Sequence, residues 1–307
     1  MQGKLASAIA SYWPKIRDFA VLDTELHPTT SSNYIDEVTR FLREADKNVN
    51  NQIRAEIPPR RTFGYVLLGV ALIRGSQPAS ILLTNFNRLV QAIELDALLY
   101  RTSLIHNIMD RRVCVSTGPS PWTGSGVPSM QPCFVDSLEF RAQYGHQALP
   151  SKTAELLSFS AAAFLTTYDG PNSKRSPIAP CLTITRINPK EVLCEGGQYH
   201  QIATNQSNYL ETDSSRYDKR GSVLQRTVAA VIDSNCTMDI KMCLAKSMYG
   251  FTGGYVIFDM HFHYMCRQPP QFIDIKGDFG FVKWAEVISK NVRSGSPVPC
   301  APKTNIC

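Results

Sequence analysis

No Cys-x-x-Cys pair occurs in the sequence, although nine cysteines are spread from Cys114 to Cys307. Their odd number and the missing Cys-x-x-Cys pair argue against both a structural zinc knuckle and a simple disulfide scaffold. Buried thiols in a reducing compartment are expected instead. Long apolar runs are scarce as well. The longest, Phe63 to Ile73, is 11 residues and is interrupted by Gly64 and Gly69, too short to cross a bilayer as a helix. Before Pro14 no sustained apolar stretch of the kind a cleaved leader carries is present. The expectation is therefore an intracellular, cytoplasmic protein, or one held inside a virion, with no membrane span. Without a secretory route the triplets Asn205-Gln-Ser and Asn235-Cys-Thr carry little weight as glycosylation sites.

Nucleotide-binding grammar is missing too. Gly118-Pro-Ser-Pro-Trp-Thr-Gly-Ser-Gly has glycines but no Lys-Ser or Lys-Thr ending and no dinucleotide spacing. Gly250-Phe-Thr-Gly-Gly precedes a strand signal, the wrong side for a phosphate cradle. No cofactor is expected. Cys133 with His146, or Cys194 with His200, supplies thiol and imidazole for a nucleophile and base, but no oxyanion-hole segment accompanies either pair. No internal repeat, heptad array or low-complexity tract interrupts the chain.

Charge is sparse at 19% of residues, against 43% hydrophobic, which describes a folded chain able to build a real core from 307 residues. The balance is mildly basic at +6, with doublets at Arg60-Arg61, Arg111-Arg112, Lys174-Arg175 and Lys219-Arg220. Converging on one face, these eight residues would meet RNA or another nucleic acid through its phosphates.

The periodicity predicts an α+β protein, with a helical N-terminal region over 1–114 and a mixed region with a small β-sheet over 133–293. A Gly/Pro/Ser-rich linker or binding loop joins them at 115–132, and a tail spans 294–307. The segment 1–22 reads as a short helix broken at Pro14, and 23–33 as polar loop. Asn33 with Asp36 opens an amphipathic helix whose stripe is Tyr34, Ile35, Val38, Phe41, Leu42 and Ala45. Phe63 to Ile73 reads as a core helix by its length, and 79–109 as one or two further helices. A short strand follows at 133–140, then a helix from Ser151 to about Leu165. Strands are expected at 181–187 and 191–203, helices at 223–233, 238–247 and 281–292.

The strongest strand signal is 255–265, entered through Gly253-Gly254. Alternation along it places Asp259, His261 and His263 on one face, the residue types of a metal-dependent hydrolase. The bland alternative is the wetter side of a sheet. Missing catalytic grammar, low charge, the long loop around Trp122 and the proline-rich tail favour a structural, self-assembling protein: a viral capsid or nucleocapsid-associated homo-oligomer. Trp122, Pro297 and Pro299 are the candidate interface residues.

Overall fold

The computed structural model describes residues 18–26, 30–55, 65–72, 79–103, 109, 114–115, 120, 132–145, 148–168, 180–187, 199–203, 208–212, 216–217, 223–224, 228–233 and 235–259. Five strands build one parallel sheet in the order β1 (Asp18–Leu26), β2 (Tyr65–Leu72), β3 (Ala97–Tyr100), β4 (Ala154–Ser160) and β12 (Gly254–Phe258). Helix α1 (Ser32–Ala55) joins β1 to β2, and α2 (Ala79–Val90) joins β2 to β3. Helix α3 (Phe134–Phe140), continued by a π-helical turn at Arg141–Gly145, precedes β4, and α4 (Asn235–Tyr249) precedes β12. This is an α/β arrangement, because parallel neighbours need crossovers and helices supply them.

Between β4 and α4 the chain lays out a second, antiparallel sheet. Its order is β6 (Thr183–Ile187), β5 (Ala163–Thr167), β11 (Val228–Ile232), β8 (Asn208–Thr212) and β7 (Tyr199–Ala203). A two-stranded ribbon pairs β9 (Arg216–Tyr217) with β10 (Val223–Leu224).

The α+β expectation is thus overturned, and with it the helical N-terminal region: three of the five parallel strands lie there. Phe63 to Ile73 is the informative error. A strand buried on both faces reads as a continuous apolar run, and Leu68, Val70 and Ala71 of β2 are all fully buried. Length had suggested a helix; burial on both sides makes a strand. The expected helices at 151–165 and 223–233 are strands as well: β4, which is buried along most of its length, and β5, β10 and β11. The segment 79–109 stops being helical at Val90, and 133–140 is helix where a strand was expected. The strand at 181–187, the helix over 238–247 and the start of the strand at 255 are observed. The helix at 281–292 lies outside the described residues.

Helix α1 forms on its predicted stripe, with Ile35, Leu42 and Ala45 buried. Its cap is Ser31 rather than Asn33, for the Ser31 hydroxyl accepts from the Tyr34 amide at 3.2 Å. One core lies between the parallel sheet and its helices. Leu26, Leu68, Val70, Leu98, Tyr100, Leu157 and Phe159 meet Phe86, Phe134, Phe140 and Met242 there. Each such fully buried side chain contributes about 1.5–3 kcal/mol. Gly253 is required where β12 enters, because a Cβ would lie 2.0 Å from the Glu155 carbonyl oxygen.

The cysteine expectation also needs correction. Cys114 and Cys181 form a disulfide across a sequence separation of 67, tying the segment after β3 to the start of β6, and Cys243 is disulfide-bonded too. Thiols far apart in sequence are adjacent because the Val115 and Pro180 backbones pair. Lys241 of α4 is fully buried and binds Asp233 at 2.7 Å and the Ser120 carbonyl at 2.9 Å. Burial lowers its pKa, against the opposing pull of Asp233. Among the described residues no helix is long and apolar enough to cross a membrane.

Candidate active face at the strand ends

Side chains alternate across a strand, so the residues between the helix-facing ones line the opposite face of the parallel sheet. Leu26, Leu72, Tyr100, Phe159 and Ile257 face the helices. Glu25, Ala71, Arg101, Ser158, Ser160 and Phe258 therefore share the other face, all at the C-terminal ends of their strands. Register places four of them in one row. Glu25 pairs with Ala71, Tyr100 pairs with both Val70 and Leu157, and Ser158 pairs with Val256. Arg101, directly after Tyr100, thus lies between Ala71 and Ser158, and its amide donates to the Val70 carbonyl at 2.8 Å. Two strand spacings put the Glu25 and Arg101 backbones roughly 10 Å apart.

A bulge in β1 between Val21 and Thr24 precedes Glu25. Such an extra residue re-aims the side chains that follow it and commonly sits beside functional sites. Glu25 itself is half-buried. Beyond β3 the chain is fixed by Ser158, whose hydroxyl accepts from the Thr102 amide at 2.8 Å and the Ser103 amide at 3.2 Å. The Thr102 hydroxyl donates in turn to the Ser158 carbonyl. The Arg101 guanidinium, buried, lies 4.2 Å from the centre of the Phe258 ring.

Asp259 closes this end of the sheet. It has left-handed backbone geometry, φ 61°, which Asp tolerates better than most residues. Its Oδ2 accepts from the Ser160 hydroxyl at 2.6 Å, and its Oδ1 accepts from Arg186 Nη1 at 2.9 Å. Arg186 belongs to β6, so the antiparallel sheet is latched to the mouth of the parallel one. The carboxylate has a donor on each oxygen, which makes it a brace between the two sheets.

The structure brings together few of the sequence-predicted site residues. Asp259 is placed, and its oxygens are committed to Ser160 and Arg186. His261 and His263 lie outside the described residues, as do Trp122, Pro297, Pro299 and all four basic doublets: Arg60, Arg61, Arg111, Arg112, Lys174, Arg175, Lys219 and Arg220. Among the described residues no three His, Cys, Asp or Glu side chains converge as metal ligands would. Cys133 is buried at the start of α3, while His146 is outside the described residues. Glu25, Arg101, Ser158 and Ser160 were not anticipated. The signal for Glu25 was present in Asp18-Phe-Ala-Val-Leu-Asp-Thr-Glu-Leu, an apolar stretch ending in acidic residues two apart. It was divided between an expected helix and an expected loop.

No family model matches the sequence, and no curated protein sequence matches it. Solved structures do. A family 18 glycoside hydrolase, an N-acetylglucosaminidase from Paenibacillus barengoltzii, superposes with a TM-score of 0.52 at 10% identity, over 85% of this chain and 71% of that one. A class V chitinase from Nicotiana tobaccum gives 0.52 at 12% identity, over 88% and 68%. An immunomodulatory active chitinase from Trichuris suis gives 0.53 at 11% identity, over 85% and 67%. At such identity the likeness is one of fold: the parallel sheet with its helices resembles the TIM-type barrel of these enzymes, whose chemistry as a class sits at the C-terminal ends of the strands. These neighbours overturn the expectation of a structural, capsid-type, RNA-binding subunit. They also leave the metal-dependent hydrolase without support.

Proposed function

We propose that the chain is a glycoside hydrolase-type protein acting on saccharides that contain N-acetylglucosamine, with Glu25 as the proton donor. The observation that carries this reading is the position of Glu25: a half-buried carboxyl group, set by a bulge at the C-terminal end of β1, on the same face as Arg101, Ser158, Ser160 and Phe258. Most glycosidases use two carboxyl groups, but a substrate that carries an acetamido group can supply its own nucleophile. One acid then suffices. Glu25 would protonate the glycosidic oxygen as its bond to the anomeric carbon breaks, while the acetamido oxygen of the same sugar bonds that carbon. The resulting carboxylate would take a proton from the water that reopens the ring. Glu25 is the sole described carboxylate in the strand-end row, and Asp259 is committed to its brace, which favours this one-acid route over a two-carboxylate one.

The same economy favours a second reading, saccharide binding without cleavage, since a single described carboxylate stands in the strand-end row. Incubation with N-acetylglucosamine oligomers separates the two. Cleavage that falls at least about a hundredfold in Glu25→Gln, with oligomer binding retained, supports the hydrolase. Binding without cleavage in the unaltered protein supports the second reading, and the absence of both defeats each. The Cys114–Cys181 disulfide supports an oxidising compartment rather than the cytosol.

A further inference from the structure

A second polar concavity lies on the opposite side of the sheet, in the helical layer. Helices α1 and α2 flank a groove of about 600 Å³. Arg40, Arg43 and Lys47 project into it from α1 at spacings of three and four, the repeat that aligns side chains along one helical face. All three are exposed, and Arg88 joins them from α2. Two acids share the groove. Asp36 pairs with Arg88, which leaves Glu44 among the three α1 cations. The lining therefore carries four positive and two negative groups.

Thr39 provides an independent sign of a ligand. It lines the groove at 7% exposure, and its hydroxyl has no hydrogen-bond partner. A buried hydroxyl without a partner costs about 1–3 kcal/mol, a cost that a ligand oxygen in the groove would remove.

We propose that this groove binds a sulfated polysaccharide. Guanidinium and ammonium groups suit sulfate oxygens. Glu44 and the Thr39 hydroxyl suit sugar hydroxyls, which donate and accept. Among the described residues no aromatic side chain lines the groove for a base to stack upon, which disfavours a nucleic acid. The Cys114–Cys181 disulfide favours an oxidising compartment, where sulfated glycans rather than nucleic acids are the abundant polyanions. The site is separate from the strand-end face and does not depend on Glu25.

The test is titration of the intact protein with heparin by calorimetry at several salt concentrations. The comparison variants are Arg43→Ala with Lys47→Ala and, matched for charge, Lys152→Ala with Lys246→Ala. The expected result is binding that the groove pair weakens roughly tenfold, with the slope of log K against log salt reduced by about 2, while the control pair changes neither. Thr39→Val, which removes the hydroxyl but keeps the shape, is expected to weaken binding without altering the salt slope. No binding at physiological salt, equal losses in the two charge-matched pairs, or equal affinity for single-stranded RNA of the same charge would each overturn the proposal.

Discussion

The two ends of β4 carry buried polar groups that hold different parts of the fold. At its start Glu155 faces the helices, where Arg141 grips Oε2 through Nε at 2.9 Å and Nη2 at 2.6 Å, and Tyr100 donates to Oε1 at 3.2 Å. Arg141 then ties in the Tyr249 carbonyl at 3.0 Å, and the π-helical turn that begins at Arg141 follows directly on α3. The Glu155, Arg141 and Tyr100 side chains are all buried. At the other end, Ser158 and Ser160 face away from the helices, holding the chain after β3 and the Asp259 brace, with Glu25 three strands from Ser158. Polar groups at the closed end lock the helices to the sheet; at the open end Ser158 and Ser160 are buried braces as well, and Glu25 is half-buried at the strand ends, where barrel enzymes meet their substrates.

Breaking the closed end is expected to have the largest effect. Glu155→Ala leaves a buried guanidinium unpaired and should cost about 3–5 kcal/mol, read as a lower urea midpoint with an unchanged slope. Asp259→Asn at the open end should cost less, about 1–2 kcal/mol, because Arg186 is partly exposed and Ser160 keeps a partner. Its sharper signature should be faster amide exchange in β6, the strand that Arg186 latches. Equal losses from the two substitutions would erase the distinction between the ends.

Tyr100→Phe is the finest probe. Burial, reinforced by Glu155, raises the Tyr100 pKa far above its usual 10. The unfolded chain releases this proton near pH 10 while the folded chain keeps it. The stabilisation is therefore complete below pH 10 and lost as pH rises beyond it. The Phe variant should lose about 1 kcal/mol at neutral pH with the hydrogen bond, and should lack this group's share of the alkaline decline. Denaturant unfolding at pH 8, 10 and 11 gives both quantities.

What could be read in the sequence follows how far each cause reaches along the chain. The stripe of α1 was legible because residues three and four apart decide it. So was β6, where apolar and polar residues alternate. β2 and β4 were not, since an apolar run looks alike in a buried helix and a strand buried on both faces, and only neighbouring strands resolve the two. The basic doublets drew attention because adjacent charges are conspicuous. The groove cations Arg40, Arg43 and Lys47 are spaced along a helix and meet Arg88 only when α1 lies beside α2.

By itself the sequence determined that the chain folds around a sizeable apolar core, that α1 is amphipathic, and that strands lie within 181–187 and in the segment beginning at Tyr255. Those properties depend on composition and on neighbours within a turn or a pleat. Tertiary structure alone decided the parallel order of β1, β2, β3, β4 and β12, the Cys114–Cys181 bond and the row from Glu25 to Ser158. Each of these joins residues tens of positions apart. Such pairings are selected by burial and register summed over the whole sheet, which no local stretch of sequence encodes.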